Sequence, residues 1–138
     1  MPNNQPIFSR IGDIQWSGAS ASAANTTRDM TTGTTYSVFT ADSTNGGYVQ
    51  RIRFRPLGTN VATVARIWIN NGSATNVVGN NILWDEVSLP ASTANEAAAL
   101  ALTELPLNFA MPPGYKIFVT LGTAVAAGYS VSVIGGKY

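Results

Sequence analysis

Tyr48-Val-Gln-Arg-Ile-Arg-Phe-Arg-Pro-Leu-Gly-Thr-Asn-Val-Ala-Thr-Val-Ala-Arg-Ile-Trp-Ile-Asn-Asn-Gly72 is the stretch whose reading decides the fold. Its first half alternates, with Arg51, Arg53 and Arg55 on one side and Ile52 and Phe54 on the other. Alternation with period two marks a half-buried strand, because successive side chains leave a pleated backbone on opposite faces. Pro56-Leu57-Gly58-Thr59-Asn60 interrupts the ladder, since proline has no amide to donate and glycine admits turn dihedrals. Alternation resumes from Val61 to Asn70, with Val61, Thr63, Ala65, Ile67 and Ile69 opposite Ala62, Val64, Arg66 and Trp68. Asn71-Gly72 is a turn dipeptide. Two strands joined by a stiff corner form the middle of a β-sandwich.

Working outward, 138 residues suit about one domain with a sizeable core. Charged residues make up 11% of the chain, against about 25% in typical domains, and Asn, Thr, Ser, Ala and Gly take their place. A net charge of +1 supplies no field to hold nucleic acid or an anionic bilayer. A neutral polar surface tolerates close neighbours and fits an assembled state. Cysteine is absent, so disulfides and thiolate metal sites are excluded. Residues 1–10 carry no apolar run of the secretory type, and no window reaches the length of a membrane span. Without a signal peptide, the glycosylation triplets at Asn25 and Asn71 are expected to be chance matches.

Residues 1–10, with Pro2 and Pro6, are expected to form an extended arm that offers Ile7 and Phe8 to a neighbour; residues 11–138 form the single β-sandwich domain. Ile11 to Trp16 is a first strand with Ile14 and Trp16 on one face. Ser17 to Gly33 is too polar for a core element and is expected to be a long loop or a polar strand extension; a loop of this length is usually functional or mobile. Strands follow at 34–41, 81–89, 105–110, 115–121 and from Tyr129 onward. Thr93-Ala-Asn-Glu96 fits a capping box, which points to one possible short helix near 94–102, with a loop as the competitor. The count is about eight strands without βαβ alternation, so the expected class is an all-β antiparallel sandwich. Long crossovers favour a jelly roll, with an immunoglobulin-like sandwich as the alternative.

The chain has no histidine, which removes the commonest general base and metal ligand. Asp85 and Glu86 are adjacent on a strand and point to opposite faces, so they are not a glycosidase pair. Asp42-Ser43-Thr44-Asn45-Gly46 has calcium-ligand residue types, but a plain turn explains them better. No cofactor and no enzymatic activity are expected. Six arginines against two lysines favour the fork-shaped group that pairs with carboxylates across interfaces. An interface is the favoured reading for Arg51, Arg53 and Arg55, ahead of a solvated face, and Arg66 with Trp68 joins it. Neither strand declares its inner face, so Trp68 and Trp84 stay open between core and surface.

The run from Gly46 to Gly72 resembles a small family of tailed-bacteriophage proteins. So do Leu83-Trp-Asp-Glu-Val-Ser-Leu-Pro-Ala91, Leu105-Pro-Leu-Asn-Phe-Ala-Met-Pro-Pro-Gly-Tyr-Lys116 and Gly135-Gly-Lys-Tyr138. The resemblance covers residues 46–138 and implies a virion component with a β-sandwich fold. The implied role is a decoration (cement) protein on the outer capsid surface, partnered by the major capsid protein, without nucleic acid or membrane. A homotrimer is expected, since a neutral exterior buries against copies of itself at small desolvation cost. The alternative is a tail or fibre module that binds host-surface glycans through exposed tryptophan.

Overall fold

A computed structural model describes residues 11–138; the expected arm, with Ile7 and Phe8, lies outside the described residues. Eight antiparallel strands make two four-stranded sheets packed as a sandwich. They are β1 (Ile11–Trp16), β2 (Tyr36–Thr40), β3 (Gly47–Pro56), β4 (Thr63–Asn70), β5 (Asn81–Leu89), β6 (Thr103–Met111), β7 (Lys116–Leu121) and β8 (Tyr129–Lys137). The front sheet has the order β1-β8-β3-β6 and the back sheet β2-β7-β4-β5. Consecutive strands therefore change sheet at every connection except β4 to β5. That connection is longer than the Asn71-Gly72 dipeptide suggested: it runs through residues 71–80 and contains a 3-10 turn at Val78–Asn80.

The alternating residues go where period two sends them. Val49, Ile52 and Phe54 of β3 meet Ala65 and Ile67 of β4, and Ile117, Val119 and Leu121 of β7 close the core with Val131 and Val133 of β8. Each large side chain so buried contributes roughly 1.5–3 kcal/mol relative to exposure. One contact of the front sheet allows no side chain. A Cβ on Gly135 would stand 2.3 Å from the Tyr48 carbonyl oxygen, at the point where the β3 pairing shifts register between Val49 and Arg51.

The two lateral edges of the sandwich are finished differently. On the β1–β2 side the Gln15 amide acts as a stand-in strand. Its Nε2 donates to the Thr40 carbonyl at 2.9 Å, and its Oε1 accepts from the Thr40 N–H at 2.9 Å. On the β5–β6 side the edges meet through side chains, with Trp84 edge-on to Phe109 at 5.0 Å. Ile82 and Trp84 remain 56% and 48% exposed there.

The long polar segment 17–35 is a structural cover. It first extends β1 alongside β8, where Ala21 and Tyr129 exchange backbone hydrogen bonds, then crosses to the back sheet, where the Asn25 N–H donates to Leu121. Its Met30 packs against Trp68 and Phe118 in a second apolar cluster, with Leu83 beside it. Asn25 organises the turn within the cover: its Nδ2 donates to the Thr32 and Thr34 carbonyls, and its Oδ1 accepts from Thr27. An amide buried and bonded in this way has no place for a glycan.

The expected helix near 94–102 does not form; the segment is an irregular strap across one end of the sandwich. Helix propensity loses here because Ala97, Ala98 and Ala99 are exposed and offer no apolar stripe to bury, and a helix so short is marginal alone. Local bonds take the backbone instead. The Ala97 N–H donates to Asn95 Oδ1, the Ala94 N–H to Thr59 Oγ1, and Ser92 exchanges both backbone bonds with Asn60. The Asp42 segment is the expected turn: Asp42 Oδ1 accepts from the Asn45 and Thr44 N–H groups. Those two bonds hold its carboxyl below the usual carboxylate range, with Asn45 the larger cause.

Candidate functional site

Antiparallel pairing sets partner residues side by side, so outward side chains of the front sheet line up in rows across it. One row runs Ile14, Ile134, Arg51, Pro106, and the next runs Trp16, Ser132, Arg53, Glu104. Arg55 follows opposite Ser130. This face carries an apolar strip along β1, a small neutral strip along β8 and a cationic strip along β3. Ile14 and Trp16 are 60% and 66% exposed, and among the described residues nothing covers them as 17–35 covers the back sheet.

The three arginines share the face that the alternation assigned them, and each has an intramolecular neighbour. Arg53 Nε lies 2.8 Å from Glu104 Oε1, and Arg51 Nε lies 3.9 Å from Oε2 of the same carboxylate. Neither Nε–H is directed at an acceptor, so both contacts are ionic and both buried Nε atoms lack a hydrogen bond. Arg55 donates from Nη1 to the Leu100 carbonyl at 2.9 Å and ties the strap to the sheet. One carboxylate facing two guanidinium groups leaves the strip with a net positive charge. Half-exposed pairs of this kind add little stability, because water screens them and ordering long side chains costs entropy.

Arg66 and Trp68 do not join this face. Both lie on the outward side of β4 in the back sheet and are buried by the 17–35 cover. Trp68 Nε1 donates to Thr120 Oγ1 at 3.0 Å, and Arg66 Nε donates to Glu86 Oε1 at 2.9 Å. Arg28 of the cover reaches the same Glu86 oxygen at 3.1 Å, so Glu86 clamps the cover onto the sheet. The apolar half of the front face, Ile14 and Trp16, was legible as two residues on one side of a weak strand. Its position beside the arginines required the register of β1 with β8.

Among the described residues, Tyr129 is the one titratable side chain that the core has taken in whole. It is 1% exposed, its hydroxyl has no hydrogen-bond partner, and burial pushes its pKa above the ordinary 10.0. Folding disfavours the phenolate, so this contribution to stability is present in full below about pH 10 and is lost as pH rises through the raised folded value. Spectrophotometric titration is expected to show a late tyrosine ionisation together with unfolding, and Tyr129→Phe is expected to remove that late step.

Comparisons with known proteins leave the site to speak for itself: no protein-family model matches the chain, and no curated protein matches it.

Proposed function

We propose that this chain is a structural virion protein, a decoration or cement protein that attaches to the outer surface of a phage capsid through the open face of its front sheet. The observation that carries this reading is the pairing on that face of a net-cationic arginine strip with exposed Ile14 and Trp16. Arginine and tryptophan dominate interface hot spots, and an acidic strip on the major capsid protein would convert the like-charge row into charge-assisted hydrogen bonds. The resemblance of residues 46–138 to tailed-phage proteins points the same way. So does the pairing order, in which β1, β2, β3 and β4 meet β8, β7, β6 and β5, the order that the proposed jelly-roll winding would require. A homotrimer is part of the proposal, with Ile82 and Trp84 on the β5 edge as its contact between copies. Attachment would stabilise the shell by mass action, because the ligand binds the intact shell alone.

Arg53→Ala tests the reading. Arg53 sits on a half-exposed pair, so the isolated protein's stability is expected to change by less than about 0.5 kcal/mol. Loss of a desolvated cross-interface pair is expected to weaken attachment to purified particles by about 2–5 kcal/mol at matched salt. Equal attachment of mutant and parent, measured by co-sedimentation, refutes the proposal.

Exposed Trp16 also favours a second reading, a tail or fibre module that holds host glycans by stacking on the indole. Particles that shed the protein would then lose host adsorption and keep their resistance to heat.

A further inference from the structure

The outer face of the front sheet carries a shallow trough along β8. Its rows set Ile14, Ile134 and Arg51 in one line and Trp16, Ser132 and Arg53 in the next, with Ser130 beside Arg55. Two small serines therefore lie between an apolar wall on β1 and a cationic wall on β3. The walls stand on strands two steps apart, roughly 10 Å. Along each wall the side chains repeat every second residue, about 7 Å.

The cationic wall is incompletely matched from within the chain. Glu104 approaches Arg53 Nε at 2.8 Å and Arg51 Nε at 3.9 Å from the β6 side, yet neither Nε has a hydrogen bond. One carboxylate serves two guanidinium groups, and those arginine side chains remain 37% and 42% exposed. The apolar wall is more open still, with Ile14 and Trp16 largely in solvent. A ligand that meets both walls carries anionic groups on one flank and apolar groups on the other, each at a repeat of about 7 Å.

An extended peptide has that pattern by geometry. Lying along β8, it sends successive side chains to opposite flanks, and every second residue returns to the same flank after about 7 Å. A helix with its side chains is about 10–12 Å across, too wide to settle between walls only that far apart. A single nucleic-acid strand also repeats its charge, but it stacks bases on aromatic rings. The aliphatic Ile14 and Ile134 beside Trp16, and the Glu104 carboxylate within the cationic wall, disfavour it. Nor can a second copy of this chain supply the segment, since none of its seven acidic residues stands two positions from another.

We infer that the front face docks an extended segment of a different protein in which acidic and apolar residues alternate, its carboxylates on Arg51, Arg53 and Arg55 and its apolar side chains on Ile14 and Trp16. The inference rests on the reading of this face as the attachment surface and names the chemistry of what attaches. Carboxylate and guanidinium form charge-assisted, often bidentate, hydrogen bonds, which Glu104 does not make with Nε. Glu104 is then an internal competitor for the incoming carboxylates.

The test is an NMR titration of the intact protein with the peptide acetyl-Glu-Leu-Glu-Leu-Glu-amide, against the same residues in blocks, acetyl-Glu-Glu-Glu-Leu-Leu-amide, at matched salt. The alternating peptide is expected to give saturable shifts at Trp16, Ser132 and Arg53. The block peptide is expected to bind at least about tenfold more weakly, the worth of one charge-assisted hydrogen bond. Trp16→Ala, at an exposed position, is expected to remove most of that preference while the melting temperature holds. Glu104→Gln is expected to tighten the alternating peptide about twofold to fivefold, since a half-exposed pair no longer competes. Absence of saturable shifts, equal binding of the two peptides, a preference indifferent to Trp16→Ala, or binding that Glu104→Gln leaves unchanged or weakens overturns the inference. Oligothymidylate binding tighter than either peptide also overturns it and makes the face a nucleic-acid site. The two readings of the face fail separately. Particle attachment that depends on Arg53 while the alternating peptide does not bind overturns this inference and leaves the capsid proposal standing. Peptide binding as expected, with particle attachment indifferent to Arg53→Ala, supports the inference and removes the capsid as its source.

Discussion

Asn60→Ala is expected to cost about 3–5 kcal/mol and to lower the melting temperature by roughly 10 °C or more. Asn60 is 3% exposed in the connection between β3 and β4. Its Oδ1 accepts from the Ala127 and Gly128 N–H groups, each at 2.9 Å, and its Nδ2 donates to the Gly128 carbonyl at 3.0 Å. Truncation would strand the Ala127 and Gly128 N–H donors away from water, each at about 1–3 kcal/mol, while the Gly128 carbonyl keeps the Leu57 N–H. Domains of this size hold about 5–15 kcal/mol in total, so the loss is a large share. Asn60→Asp is expected to fall between: a carboxylate accepts both N–H groups but faces the Gly128 carbonyl without a donor. Thermal unfolding followed by circular dichroism, with exposed Asn76→Ala as the neutral control, decides the matter. A shift below about 3 °C for Asn60→Ala would show that the 127–128 turn keeps its place by other means.

Glu86→Ala is the second large effect, expected at about 2–4 kcal/mol. It leaves the Arg66 guanidinium, whose side chain is 8% exposed, with the long 3.4 Å contact to the Asn25 carbonyl as its remaining bond. A buried charge without its partner costs more than the pair was worth, because its desolvation is no longer offset. The Glu86 side chain is 41% exposed, so water reaching the gap keeps the loss towards the lower end. The damage is expected to be local before it is global. Hydrogen exchange should accelerate first at Asn25, whose N–H donates to Leu121, as the 17–35 cover lifts from the back sheet. Replacing both partners, Arg66→Met with Glu86→Gln, is expected to recover most of the lost stability, since no charge then remains to be solvated. If the double variant is as unstable as Glu86→Ala alone, the clamp is not electrostatic.

These two residues also mark where sequence reasoning stops. Asn60 lies in a stretch that reads simply as a corner, Pro56-Leu-Gly-Thr-Asn60, and nothing local distinguishes an asparagine that turns the chain from one that bonds a loop 67 or 68 residues away. Arg66 reads as an outward residue of β4, and it is one. Whether outward means solvent depends on segment 17–35, whose Ser, Ala, Thr and Asn composition conceals that it supplies Ala21 and Met30 to buried clusters. The alanine-rich segment 97–102 carries helix propensity that is lost to Asn95 and Thr59, neither of which propensity weighs.

By itself the sequence determined the strands and, for β3, the inner face. Period two is a local property of a pleated chain, so Ile52 and Phe54 had to point inward together and Arg51, Arg53 and Arg55 outward together. It also determined the class, since eight alternating runs without crossover helices have few ways to bury their apolar sides other than against one another. The tertiary structure alone decided which strands are neighbours, and therefore that Trp16 shares a row with Arg53 and Glu104 while Trp68 lies under a loop on the other sheet. It alone left the Tyr129 hydroxyl buried without a partner. Register and coverage are settled by contacts between residues far apart in the chain, and a local pattern records which way a side chain points but not what it meets.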